Sequence, residues 1–283
     1  MNTSPTSPNT LAGTPSTLTH SGLLAGKRGV VLGVANEKSI AWGASQVALQ
    51  AGAKLAFSYL GPAQEKRVRA LLAEHPDALI LPCDVTKDEE VDAFFASVKA
   101  HWDGLDFVIH SVAYAEKEAL RDRFLATTRA QFAQALDVSA YSLVSVARAA
   151  APLMGQGGSI VSMTYYGSEK VVPKYNVMGV AKAALEAATR YLAEDLGPQG
   201  VRVNTLSAGP IRTLSASAIP GFKAMLEAAT RFAPLRRNVT QEDIGRSTLY
   251  LLSDLSSGVT GETLHVDCGY HVMGMFNEVD ESN

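Results

Sequence analysis

Short apolar, β-branched runs alternate with segments of helical periodicity along most of the chain. From Lys27 onward "RGVVLGV" is followed by "SIAWGASQVALQAG", "AKLAFSYL" by "AQEKRVRALLAEH", and "ALILPCDV" by "DEEVDAFFASVKAHW". "LDFVIHSVA" precedes a long helical region from about Thr128 to Met154, and "GSIVSMTY" precedes a helix opening at Lys174, "KYNVMGVAKAALEAATRYLAEDLG". "GVRVNTLSAG" and a late "TLHVDCGY" complete the series. Strand and helix repeated at this spacing predict an α/β fold, a doubly wound parallel sheet. Right-handed crossovers place the carboxyl ends of its strands along one edge, where such sheets bind ligands.

The first turn, "LGVANEKSIAWG", narrows the ligand. Gly33 ends the first strand, and Ser39, Ile40 and Ala41 then open a helix. Small residues thus stand where a backbone must approach a pyrophosphate at a helix N-terminus. The pattern is a variant of the dinucleotide fingerprint and not GxGxxG, and a glycine ending a strand is more often only a turn. Other strand ends add weight. In "CDV", Asp84, with Val85 beside it, either accepts from an adenine amino group or caps the helix that follows. "HSVAYA" places Ser111, Val112 and Ala113 beside a cofactor ribose.

Composition fits this picture. A chain of 283 residues, 47% hydrophobic and 19% charged, suits one well-buried domain. A formal charge of -3, from 25 basic and 28 acidic residues, supplies no positive field for nucleic acid or an anionic membrane. Cys83 and Cys268 are far apart and form no CxxC, so neither a disulfide framework nor a zinc site is expected, and a reducing, cytoplasmic setting is. No apolar run approaches the roughly 20 residues of a membrane span. Met1 to Gly22 is rich in Ser, Thr, Pro and Asn, without a charged n-region or apolar h-region, and is expected to be a disordered tail. The expected domain is 23–276, with a second tail at 277–283. His265, Asp267, Cys268 and His271 are not expected to hold a metal, because alternation along a strand sends neighbours to opposite faces.

"SMTYYGSEKVVPKYNVMGVAKAALEAATRYLAEDLGPQGVRVNTLSAGPIRTL", with "GVANEKSIAWG" and "HVDCGY", resembles the bacterial enoyl-acyl-carrier-protein reductases. These form a divergent branch of the short-chain dehydrogenase/reductase superfamily, with a Rossmann-type sheet, and the resemblance runs from about Leu24 to Met275. It implies a homotetrameric NADH or NADPH enzyme that reduces the trans-2 double bond of an acyl-carrier-protein thioester in fatty-acid elongation. The family's tyrosine, second tyrosine ten residues on and lysine seven beyond fall on Tyr165, Tyr175 and Lys182. Seven residues turn a helix by about 700° and raise it about 10.5 Å, so Tyr175 and Lys182 share a face. The resemblance implies Tyr175 as donor to the thioester oxygen, Lys182 as holder of the nicotinamide ribose, and Tyr165 as a supporting group. Tyr166 replaces Tyr165 at the pocket if the strand register slips by one.

The resemblance further implies that Ile211 offers backbone groups to the carboxamide and that Thr213 reaches the pyrophosphate. It implies a mobile substrate lid at about 213–230, where Ile219, Phe222, Met225 and Leu226 recur at helical spacing. Pattern alone fits an ordinary amphipathic helix equally well. Ala113, Phe222 and Met225 join the two tyrosines as expected substrate neighbours. Some positions depart from the family. Leu60 and Gly61 follow the second strand, with no carboxylate for a ribose 2'-hydroxyl and no cation for a 2'-phosphate, and Lys66 and Arg67 lie farther on. NADH is therefore the expected cofactor. Cys268 replaces a common glycine, and the lid carries only Lys223 before Arg231, a thin footing for an acidic carrier protein. A carbonyl or hydroxyl oxidoreductase of the same superfamily is disfavoured by Gly179, which occupies the lysine position of a four-residue pairing. A non-catalytic dinucleotide-binding protein is the remaining alternative.

Overall fold

A computed structural model of the chain describes residues 22–213 and 221–274. Of the expected N-terminal tail only Gly22 falls within them. Ile219, with the rest of 214–220 in the expected lid, and the C-terminal tail 277–283 lie outside.

The predicted alternation is present. Strands β1 (Arg28–Leu32), β2 (Lys54–Tyr59), β3 (Leu79–Pro82) and β4 (Phe107–His110) are joined by helices α1 (Ile40–Gln50), α2 (Pro62–Leu71) and α3 (Asp88–His101). After β4 come α4 (Lys117–Arg121), α5 (Arg129–Leu136) and α6 (Ser142–Ala150), then β5 (Gly158–Thr164), α7 (Asn176–Leu196) and β6 (Val201–Ala208). Helices α8 (Phe222–Phe232) and α9 (Gln241–Leu252) lead to β7 (Thr263–Val266). Among the described residues the seven strands form one sheet, ordered β3-β2-β1-β4-β5-β6-β7, and every neighbouring pair is parallel.

Both faces of this sheet are covered, which explains the near-continuous apolar strands. Val31, Phe57, Ile109 and Leu206 pack on one face against α1 and α9, through residues such as Ala44 and Ile244. Val30, Val108, Ile160 and Val203 pack on the other against α3, α6 and α7, through Phe94, Leu143 and Leu185. Strand order reverses between β1 and β4, so the switch-point crevice opens at Gly33 and Ser111. No helix among the described residues is long and apolar enough to cross a membrane.

The structure refines three expected elements. The helical region expected over Thr128 to Met154 is present and continuous: a capping box of Thr128 and Gln131 starts α5, and a π turn at Asp137–Tyr141 joins it to α6. The Ser139 hydroxyl, which accepts from the Tyr114 N–H at 3.0 Å and donates to the Tyr114 carbonyl at 3.2 Å, anchors that wider turn. The helix expected to open at Lys174 starts at Asn176, because Lys174 and Asn176 have φ of 66° and 43°. The last strand stops at Val266. There the Asp267 carboxylate accepts from the Gly269 and His271 N–H groups at 2.9 and 2.8 Å and turns the chain.

Candidate active site

The first strand end is built for a close approach. Gly33 has φ of +101°, and a Cβ there would lie 2.0 Å from the Ser111 carbonyl oxygen, so only glycine lets the ends of β1 and β4 meet. The loop after Gly33 closes on Ser39, whose hydroxyl accepts from the Ala35 and Asn36 N–H groups at 2.9 and 3.0 Å. Ile40 opens α1 and packs on the core. Ser111 extends β4 by donating its N–H to the Leu32 carbonyl at 3.0 Å, Val112 is partly buried, and Ala113 is exposed. A dinucleotide fits this cradle: its narrowest point has no room for a side chain, and the α1 N-terminus faces the same edge.

Leu60 is 63% exposed at the end of β2. Beside it Gln64, which sequence reasoning did not single out, accepts from the Leu60 N–H and donates to the Val34 carbonyl, both at 2.7 Å. Lys66 and Arg67 are exposed farther along α2. The Asp84 carboxylate accepts from the Thr86 N–H at 3.0 Å and the Thr86 hydroxyl at 2.7 Å. Asp84 thus closes a local turn and does not cap α3, whose N-cap position is Lys87 with no side-chain cap hydrogen bond. Val85 is partly buried against the core. Pro210, Ile211 and Arg212 line a cleft of about 410 Å³ with Lys223, Leu226 and Thr230 of α8. Phe222 and Met225, partly buried on α8, are not in its lining, and neither is Thr213 at the edge of the described chain.

The two tyrosines and the lysine are brought together. The Tyr165 and Tyr175 rings meet edge to face with centroids 4.9 Å apart. Lys182 is buried and donates from Nζ to the Met163 carbonyl at 2.7 Å. Tyr166 turns away, its hydroxyl donating to the His271 carbonyl at 3.2 Å, so Tyr165 is the one facing Tyr175. Burial, with the charges of Tyr165 and Glu186, pushes the Tyr175 phenol well above its ordinary 10, so it stays protonated as a donor. Burial raises Tyr165 likewise. Burial also lowers Lys182 to about 8, against the opposing pull of Glu186.

Gly179 has a steric reason. A Cβ there would stand 2.6 Å from the Gly167 carbonyl oxygen, and a Cβ on Gly167 would stand 2.4 Å from Cδ1 of Tyr175. The turn after β5 therefore presses directly onto the start of α7, and no lysine fits four residues after Tyr175. On either side of Tyr175 the left-handed residues clamp α4. Asn176 Nδ2 donates to the carbonyls of Ala119, Leu120 and Asp122 at 3.2, 3.2 and 2.8 Å, and Lys174 Nζ donates to that of Arg121 at 2.7 Å. Asn176→Ala is expected to destabilise the fold by about 1–3 kcal/mol, through orphaned carbonyls and an unsuited backbone. Asn176→Gly, which tolerates the backbone, should lose less. Urea denaturation of both checks this, and equal losses would refute the backbone contribution.

A buried histidine underlies the site. His110 Nδ1 lies 2.9 Å from the Ser162 hydroxyl and Nε2 lies 2.9 Å from that of Ser142. Ser142 donates to the Val138 carbonyl at 2.7 Å, so it accepts from Nε2–H, and Nδ1 accepts from Ser162. The chain ties β5 and β4 to the π turn. Burial and then the Lys182 charge lower His110 from its ordinary 6.5 to about 3. The unfolded chain therefore takes up a proton that the fold refuses. Stability is intact above about pH 6.5 and falls toward pH 3, by about 1.4 kcal/mol per pH unit. Relative to wild type, His110→Gln should flatten that slope in denaturant titrations, and parallel slopes would contradict it.

The His265 and His271 rings stack with centroids 4.0 Å apart, each imidazole held by its own carboxylate, Glu169 at 2.7 Å and Asp267 at 3.0 Å. The turn after Val266 brings His271 over His265. Among the described residues no three His, Cys, Asp or Glu stand close enough to hold a metal ion.

A parallel sheet with glycine at its switch point, and a buried tyrosine and lysine beside it, is the layout of a dinucleotide-dependent oxidoreductase. The family model described as enoyl-(acyl carrier protein) reductase matches residues 33–271. The chain is 53% identical over 255 residues to enoyl-(acyl-carrier-protein) reductase (NADH) 1 of Rhizobium meliloti (strain 1021), covering 90% of this chain and 94% of that one. The solved reductase of Anaplasma phagocytophilum, in complex with NAD, matches with a TM-score of 0.88 at 50% identity, over 91% of this chain and 98% of that one. The Bacillus cereus reductase, solved with NADP+ and indole naphthyridinone, matches with a TM-score of 0.88 at 50% identity, over 90% and 100%. The chain belongs to the enoyl-(acyl carrier protein) reductase family.

Proposed function

We propose that the protein reduces the trans-2 double bond of enoyl-acyl-carrier-protein thioesters with NADH, the closing step of a fatty-acid elongation cycle. One observation carries this: Tyr175 and Lys182 occupy one buried face seven residues apart, while the Gly167 turn excludes a lysine at position 179. The cradle at Gly33, Ser111 and Lys182 would hold a reduced nicotinamide cofactor, whose chemistry would be hydride supply to the β-carbon. Negative charge then develops on the thioester oxygen, where the protonated Tyr175 hydroxyl donates a hydrogen bond and stabilises the enolate. Lys182, with Nζ fixed on Met163, holds the ribose hydroxyls. Tyr165 fixes the Tyr175 ring by its edge-to-face contact. Solvent protonates the α-carbon.

Gly33, Ser39, Ile40, Ser111, Val112 and Ile211 form the cofactor cradle in this scheme. Ala113, Phe222 and Met225 border the acyl chain. The exposed Leu60 and the Gly61 after it, neither of which offers a cation to a 2'-phosphate, favour NADH over NADPH. A cytoplasmic homotetramer acting on an acyl carrier protein belongs to the same proposal. The exposed rings of Tyr141 and Tyr191 support association, which sedimentation mass tests.

The test is spectrophotometric. Purified protein with a crotonyl thioester should consume NADH, with a higher kcat/KM than for NADPH. Absence of turnover with either cofactor would defeat the function, and an NADPH advantage would implicate Lys66 or Arg67 and overturn the cofactor choice.

A further inference from the structure

Three consecutive residues at and just past the end of β5 each engage one residue of α7 or its N-cap. The Met163 carbonyl accepts from Lys182 at 2.7 Å, the Thr164 hydroxyl donates to Glu186 Oε1 at 2.5 Å, and the Tyr165 ring meets that of Tyr175. The proposed chemistry uses the first and third of these pairs. The second is a buried carboxylate to which it gives no task.

Glu186 is 8% exposed and lies one helical turn beyond Lys182, which is 6% exposed. Residues four apart on a helix are neighbours on one face, so Tyr175, Lys182 and Glu186 form a single file. A carboxylate inside a protein costs several kcal/mol unless a cation and hydrogen-bond donors compensate it. Here the donor is Thr164, at the short distance of a charge-assisted bond, and Lys182, one turn earlier on the same helix face but not in a direct ion pair with Glu186, is the neighbouring cation. The other titratable groups facing Lys182 offer no counter-charge. Tyr175 and Tyr165 are held protonated by burial, and His110 on β4 is held neutral. Glu186 alone opposes the loss of the Lys182 proton that burial favours.

We propose, resting on the assignment of Lys182 as the ribose-holding cation, that Glu186 is a positioning residue for the reduction. Its carboxylate, oriented by Thr164, is the counter-charge that keeps the Lys182 ammonium charged and aligned on the cofactor. Both residues act through Lys182 and touch neither the substrate nor the reacting carbon atoms.

The test is the pH dependence of NADH affinity, read by fluorescence titration together with the melting temperature. Wild-type affinity should fall as pH rises through about 8. Glu186→Gln keeps an acceptor for Thr164 but removes the charge, and should move that fall to lower pH by ~1 unit or more. Thr164→Val should move it the same way by less, and Glu186→Asp, which retains the charge, should return it toward wild type. A wild-type midpoint in Glu186→Gln, whatever its melting temperature, would show a merely structural carboxylate and overturn the proposal. If Glu186→Gln does not fold, an unmoved midpoint in Thr164→Val overturns it instead. A flat wild-type profile that Lys182→Ala reproduces at equal affinity would defeat the Lys182 assignment itself, a result distinct from a moved or unmoved midpoint.

Discussion

Tyr175→Phe should lower kcat for a 2-enoyl thioester by a factor of ~10 to 1000, the usual scale for one oxyanion donor, with the melting temperature nearly unchanged. The ring is fixed by the Tyr165 edge and by the turn at Gly167, and phenylalanine keeps those contacts. Only the hydroxyl is lost. Because burial holds the phenol protonated well beyond pH 10, its departure should lower kcat evenly across the neutral range and not shift a titrating limb. Tyr165→Phe should do less, since the thioester oxygen keeps its main donor. Activity on 3-ketoacyl thioesters should be low in every variant, because position 179 cannot carry the lysine of a carbonyl reductase. Parallel assays on matched enoyl and ketoacyl substrates decide this. Faster ketone reduction, or an unimpaired Tyr175→Phe, would refute the scheme.

The sheet was legible because parallel strands buried on both faces read as unbroken apolar runs, and each crossover helix restarts the period at 3.6. Its switch point was legible in Gly33, although the sequence alone could not say that Ser111 supplies the crowding carbonyl. The π turn was not legible, since Ser139 fixes it through Tyr114, 25 residues away. Nor was the late start of α7. Left-handed backbone at Lys174 and Asn176 is set by carbonyls of α4, more than 50 positions earlier, and nothing local to "KYNVM" announces it. The stacking of His265 on His271 was not legible, because it depends on the turn that the Asp267 carboxylate makes after the strand. Glu186 was not singled out from the sequence, because its meaning needed Thr164 beside it. Gly179 is the converse case: its position in the sequence posed the question, and the Gly167 carbonyl supplies the physical reason.

Lys182→Ala should raise the dissociation constant for reduced cofactor by ~10- to 100-fold, the size of a lost charge-assisted hydrogen bond of about 1.5–3 kcal/mol. Turnover at saturating cofactor should fall by less, because the lysine holds the ribose and not the bond that reacts. Three protons sit on the ammonium. One goes to the Met163 carbonyl at 2.7 Å, which aims the group along the end of β5 and leaves the others for the ribose hydroxyls. Burial lowers Lys182 to about 8, so the cation that binds is complete below that pH and is lost as pH rises through it. Wild-type affinity for NADH should accordingly weaken above about pH 8, whereas Lys182→Ala should bind weakly with no such slope. Fluorescence titrations at pH 6, 7, 8 and 9, set beside kcat at saturating cofactor, separate binding from chemistry. An unaltered dissociation constant with collapsed turnover would move Lys182 from cofactor holder to proton donor, and the arrangement of α7 would need a different mechanism.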